Sequence, residues 1–223
     1  MKENYVHITF VIDESSSMYY DKENVRNGFN TFMEEQRKEI KGDATVSLYK
    51  FNSEVTNVFF MEDVKNIPDL NEYNYSPNGI TALYDAIGIA IDETGKKLAS
   101  MREEDRPSKV IVVIMTDGAE NSSTIYSLSR INEMISLQEK TYSWKFVYLG
   151  AELADRKQAN QLGFSKDSQA YFLKKDLNTV YRVLASSITN YRTCKNLSVA
   201  DNMMASSLDS ITTDYRNQTG ANV

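Results

Sequence analysis

Two stretches of this chain are apolar, or nearly so, at every position: Tyr5-Val6-His7-Ile8-Thr9-Phe10-Val11-Ile12 and Lys109-Val110-Ile111-Val112-Val113-Ile114-Met115. Their β-branched and aromatic residues mark them as strands. Side chains alternate between the two faces of a strand, so strands like these need apolar cover above and below. A sheet open to water on one side is excluded. A buried, mainly parallel sheet with helices on both faces meets the requirement.

The rest of the chain supplies that cover. Residues 22–40 place Val25, Phe29, Phe32, Met33 and Ile40 at helical spacing, with Gly42 as a stop. Residues 82–101 do the same with Leu83, Ala86, Ile87, Ala90, Ile91 and Leu98, interrupted at Gly95. Further helices are expected at 127–139, 153–162 and 178–191, and further strands at 45–51, 55–61, 144–149 and 169–173. The connection between 45–51 and 55–61 is so short that only an antiparallel hairpin is possible. The expected fold is α/β: a Rossmann-like doubly wound sheet, mostly parallel with one antiparallel edge strand, and helices on both faces. Residues 1–192 form the domain. Residues 193–223, rich in Ser, Thr, Asn and Asp, are expected to be a polar extension that is disordered or carries one short helix, frayed from Gly220 onward.

Composition removes several classes of function. Twenty-five Lys and Arg against 31 Asp and Glu give a net charge of −6 without any basic block, which disfavours nucleic acid and anionic membranes as partners. No apolar run approaches the ~18 residues of a transmembrane helix. The single cysteine, Cys194, permits neither an intramolecular disulfide nor a zinc cluster. The single histidine, His7, lies inside the first strand and is expected to be satisfied there rather than to act as a catalytic base. The first residues carry no signal-peptide pattern, and a cytoplasmic location is expected.

In a sheet of this kind ligands bind beyond the carboxyl ends of the strands. Asp13-Glu14-Ser15-Ser16-Ser17 follows the first strand, Thr116-Asp117-Gly118 follows the 109–115 strand, and Gly79-Ile80-Thr81 precedes the second helix. Together they offer two carboxylates and three hydroxyls, the oxygen-only set that a hard divalent cation takes. Alternation lets Asp13, Ser15 and Ser17 converge while Glu14 and Ser16 point elsewhere. Each segment alone could be an ordinary turn or helix cap; the case rests on the three together.

Asp13-x-Ser15-x-Ser17, Thr81 in Gly-x-Thr-Ala-Leu and Asp117 in Thr-Asp-Gly resemble the metal-ion-dependent adhesion site of von Willebrand factor A (VWA) domains, over a pattern running from about Tyr5 to Tyr191. The wording around Thr81 and Asp117 is similar to intracellular bacterial or phage members. The resemblance implies a Mg²⁺ or Mn²⁺ ion touched by the hydroxyls of Ser15, Ser17 and Thr81 and held by Asp13 and Asp117 through water. It further implies a partner protein that supplies an acidic residue to the metal, as in an adaptor of a multi-protein assembly. No catalytic residue is expected. A dehalogenase-type phosphatase would need a second aspartate where Ser15 stands, and no glycine-rich phosphate loop follows the first strand. A metal-dependent phosphoesterase and a scaffold with a vestigial site are the alternatives.

Four lesser expectations accompany these. Tyr19, Tyr20, Tyr73 and Tyr75 flank the loops, either as an aromatic rim suited to partner recognition or simply because a chain with 14 tyrosines places some beside any loop. Glu120 and Asn121 either touch a partner or are solvated. Lys96-Lys97 and Lys174-Lys175 are read as solvated faces. Cys194 is read as an inert small residue.

Overall fold

The computed structural model describes residues 1–39, 41–151 and 154–221. Ile40 and Leu153, expected at the end of one helix and the start of another, lie outside them. Strands β1 (Lys2–Asp13), β2 (Ala44–Phe51), β3 (Val55–Asp63), β4 (Pro107–Thr116), β5 (Lys145–Gly150) and β6 (Gln169–Tyr171) form one sheet in the order β3-β2-β1-β4-β5-β6. Only β3 runs antiparallel, through the hairpin from β2; the β1–β2, β1–β4, β4–β5 and β5–β6 pairs are parallel. The expected fold class is therefore observed. Helices α1 (Lys22–Lys38), α2 (Leu83–Ser100), α3 (Leu128–Tyr142), α4 (Ala154–Gln161), α5 (Leu177–Thr193) and α6 (Leu197–Thr219) surround the sheet. None of the described helices is long and apolar enough to cross a membrane.

Alternation along the central strands sorts the core into two layers. Val6, Ile8, Phe10 and Ile12 of β1 point toward Val25, Phe29, Phe32 and Met33 of α1 and toward Leu177, Tyr181, Leu184 and Ile188 of α5. The Phe10 ring meets Phe29 and Phe32 edge-on, at centroid distances of 5.4 and 4.9 Å. Val11, Val110, Val112 and Ile114 face the other way, onto Leu83, Ile87 and Ile91 of α2 and Ile131 and Ile135 of α3. Helices α1 and α5 approach closely at Gly28, where an added methyl group would lie 2.1 Å from Cδ2 of Tyr181.

His7 and Thr9, the polar residues of β1, are buried and satisfied. Thr45 Oγ1 lies 3.0 Å from both Tyr5 Oη and His7 Nδ1, and His7 Nε2 meets Thr9 Oγ1 at 3.0 Å and Ser47 Oγ at 3.3 Å. Burial pushes the His7 imidazole down to about 3, so the ring is neutral at physiological pH. Gly42 is not the cap of α1, which ends at Lys38. It has φ +81° in the following turn, packed against the Asn4 carbonyl where no side chain fits.

The largest departure from expectation is at the C-terminus. Residues 197–219 form α6, a helix of 23 residues rather than a short helix or a disordered tail. Ala200, Met204, Leu208, Ile211 and Tyr215 are buried against α5 and β6, while Met203 stays exposed. The spacing of 4, 4, 3 and 4 is a narrow helical stripe. The polar residues around it, poor helix formers in isolation, form the solvent face once that stripe is packed.

Candidate metal centre

The sheet reverses its winding between β1 and β4. From β1 the chain leads through α1 to β2 on one side, and from β4 through α3 to β5 on the other. The carboxyl ends of β1 and β4 thus open a crevice. Asp13 is the last residue of β1 and Thr116 the last of β4. Asp13 is wholly buried; its Oδ1 accepts the Ser15 amide at 2.7 Å and its Oδ2 the Thr116 hydroxyl at 2.7 Å. Burial pushes its carboxyl up to about 6, with the charge of Asp117 adding to the rise and the bonds from Ser15 and Thr116 opposing it.

Ser15 is extended, and Ser17 lies in the 3₁₀ turn Ser16–Asp21 that leads into α1. That turn, rather than continued strand alternation, brings Ser17 Oγ to 2.9 Å from Ser15 Oγ and lets it donate to Asp117 Oδ1 at 2.5 Å. Thr81 enters from the segment before α2. A methyl group on Gly118 would lie 3.3 Å from Thr81 Oγ1, 3.6 Å from Ser17 Oγ and 3.8 Å from Asp13 Oδ2. All five residues singled out in the sequence, Asp13, Ser15, Ser17, Thr81 and Asp117, are therefore neighbours in one cluster of oxygens.

The surrounding loops are tied to rigid elements. Glu14, expected to point away from the cluster, is buried. Its carboxylate takes the Ser76 amide at 2.5 Å and Lys50 Nζ at 2.9 Å, which holds the segment preceding Thr81. Glu120 caps the start of α2 by accepting the Tyr84 amide at 2.9 Å, and it also takes the amides of Ser122 and Ser123. Asn121 accepts the Thr81 amide at 2.8 Å. Glu120 is half-buried and Asn121 exposed, so the solvated reading of Asn121 stands beside these internal bonds. Asp85 of α2 gathers the successive amides of Thr124, Ile125 and Tyr126 within 2.9 Å.

Two other expectations change. Tyr75 is not part of an exposed rim; it is buried and its hydroxyl donates to the Asp13 carbonyl at 2.7 Å. Tyr19, Tyr20 and Tyr73 are exposed, as is Ile80. Lys174 is not on a solvated face. It starts the short turn Lys174–Asp176 after β6, and its ammonium pairs with Asp117 Oδ2. No periodicity or motif in the sequence points to it.

The donors suit a hard divalent cation: hydroxyl and carboxylate oxygens, gathered around the point a Gly118 methyl would fill, with one carboxylate already drawing a cationic side chain. Among the described residues no group of three or more His, Cys, Asp and Glu side chains is placed to hold a metal. A cation here would depend on the serine and threonine hydroxyls.

Fold and cluster together define a doubly wound α/β domain with an oxygen-lined crevice at its topological switch point. The family model for the von Willebrand factor type A domain matches residues 7–186, and the chain belongs to that family. No curated protein matches it. Similar solved structures include proximal thread matrix protein 1 from the mussel byssus with a zinc-occupied MIDAS motif (17% identity, TM-score 0.55, 85% of this chain and 47% of that one). The PilB minor pilin of Streptococcus sanguinis is similar at 14% identity and TM-score 0.57, over 82% of this chain and 61% of that one. Manganese-loaded Plasmodium vivax TRAP is similar at 15% identity and TM-score 0.54, over 80% and 72%. The first two relatives are thus matched over about half to three fifths of their length. At these identities the likeness is one of fold.

Proposed function

We propose that this protein is a divalent-metal-dependent protein-interaction module, with Mg²⁺ or Mn²⁺ bound at Asp13, Ser15, Ser17, Thr81 and Asp117. The observation that carries the reading is the convergence of the Ser17 and Asp13 oxygens from the loop after β1, and the Thr81 oxygen from the segment before α2, on one point beside Gly118 of the loop after β4. Family membership supports it, as do the zinc-occupied and manganese-loaded relatives. Ser15, Ser17 and Thr81 offer neutral hydroxyls to the ion, and Asp13 and Asp117 hold it from a water's length away. The bound cation supplies incompletely neutralised positive charge, which selects an acidic side chain on a partner protein. Tyr19, Tyr20 and Tyr73, exposed on the loops beside the cluster, provide the apolar contact that such a partner covers.

A thermal-shift and calorimetric titration with Mg²⁺ and Mn²⁺, wild type beside a Ser15→Ala/Ser17→Ala double variant, tests the reading. Stabilisation of the wild type alone is expected, because a ligand that binds only the folded state raises its stability. No binding to the wild type at millimolar metal would refute it. Hydrolysis of a generic phosphoester by the wild type but not by Asp13→Ala would replace it with a metal-dependent phosphoesterase.

A further inference from the structure

We infer that Lys174 and a divalent cation are mutually exclusive occupants of the Asp117 carboxylate, so that Lys174 sets how tightly the site binds metal. The inference rests on the metal reading above and goes beyond it, because the lysine belongs to none of the segments that supply the oxygens. The Lys174 ammonium pairs with Asp117 Oδ2, lies 3.3 Å from the Ser17 carbonyl and 3.7 Å from Asp21 Oδ2, and has a side chain 28% exposed. It thus spans the β1 and β4 loops, the two segments that carry Asp13, Ser15, Ser17 and Asp117. Asp117 Oδ1 is taken by Ser17 Oγ, so the ammonium holds the carboxylate's other oxygen.

The physics of exclusion is simple. A cation coordinated by Ser17 and served by Asp117 stands within a few ångströms of the present ammonium position. Charges of the same sign at such separation, beside an Asp117 side chain that is itself fully buried, repel strongly. Lysine has a flexible four-carbon stem and a strongly hydrated head, so it can leave for solvent at little conformational expense. Lys174 also starts the turn Lys174–Asp176, which follows β6 at the carboxyl edge of the sheet. The swing needs no rearrangement of the sheet. The site then has two states, closed by its own lysine or occupied by metal, and a cation that binds the oxygens weakly cannot displace the lysine.

Calorimetric titration of MnCl₂ into wild type, Lys174→Gln and Lys175→Gln tests this. Lys175 is the exposed neighbour, and its substitution removes the same net charge without touching Asp117. The expected result is about tenfold tighter Mn²⁺ binding by Lys174→Gln, in line with losing one charge-assisted contact of partial exposure, and a change of less than about twofold for Lys175→Gln. On the wild-type protein itself, acetylation of Lys174 followed by mass spectrometry is expected to accelerate when Mn²⁺ is added, with other lysines unaffected. Equal affinities for all three proteins, or a Lys174 reactivity that is unchanged or falls with Mn²⁺, would overturn the inference and leave the metal reading standing. No binding by any of the three would overturn both.

Discussion

Asp13→Asn offers a sharp test of the electrostatics, because its expected effect is stabilising. The Asp13 carboxyl is buried and its pKa is raised from 3.8 to about 6. A raised carboxyl favours folding in its neutral form. That contribution is complete below the unfolded value of 3.8 and is lost as pH rises through about 6. A shift of about two units corresponds to about 3 kcal/mol that the charged form withholds at pH 7. Asparagine has the same shape without the charge. Its Oδ1 can keep the Ser15 amide, and its Nδ2 can donate to Thr116 Oγ1, whose own proton has the Gly118 carbonyl as an acceptor at 3.1 Å. Allowing for imperfect replacement of these bonds, about 2 kcal/mol of stabilisation is expected at pH 7, or roughly 4–8 °C in Tm for a chain of this size. Scanning fluorimetry of both proteins in EDTA between pH 4 and 8 reads it. The gap should shrink toward zero near pH 4, and Mn²⁺ should raise the wild-type Tm while leaving the variant unmoved. A variant that melts below wild type at pH 7, or a gap independent of pH, refutes the reasoning.

Three further outcomes follow from packing. Gly118→Ala places an apolar carbon among the oxygens of Thr81, Ser17 and Asp13; metal affinity by calorimetry should fall at least about tenfold, with the far-UV circular dichroism unchanged. Gly28→Ala drives a methyl group into the Tyr181 ring between α1 and α5, and urea unfolding should show a loss of about 2–3 kcal/mol. Leu208→Ala removes a fully buried side chain of α6, which should destabilise by about 2–5 kcal/mol; an unchanged urea midpoint would mean that α6 does not belong to the core.

What could be read from the amino-acid string depended on whether a residue's role is local. β1 and β4 declared themselves because nearly every side chain in them is apolar, and burial on both faces leaves a parallel sheet as the solution. Asp13, Ser15, Ser17, Thr81 and Asp117 were visible because three short segments each carry their own pattern. Lys174 was not, since its partner Ser17 is 157 positions away and a lysine after a strand carries no local signal. Tyr75 was misplaced for the same reason: burial under β1 is decided by the path of the 64–80 segment, not by its neighbours in sequence. Helix α6 failed differently. Its apolar stripe was present in the spacing, but Ser, Thr, Asn and Asp around it masked a helix that tertiary packing stabilises.

The anchoring of the loop after β4 has a consequence for kinetics. With Glu120 and Asn121 bound to the segment that starts α2, and three successive amides held by Asp85, the backbone that carries Asp117 is already fixed in place. A ligand arriving here meets a preorganised surface and loses little entropy to loop ordering. Once Lys174 has swung off Asp117, association should proceed near the rate set by diffusion and by dehydration of the ion, with little temperature dependence from backbone rearrangement. Differences in affinity among partners should then reside in how fast they leave.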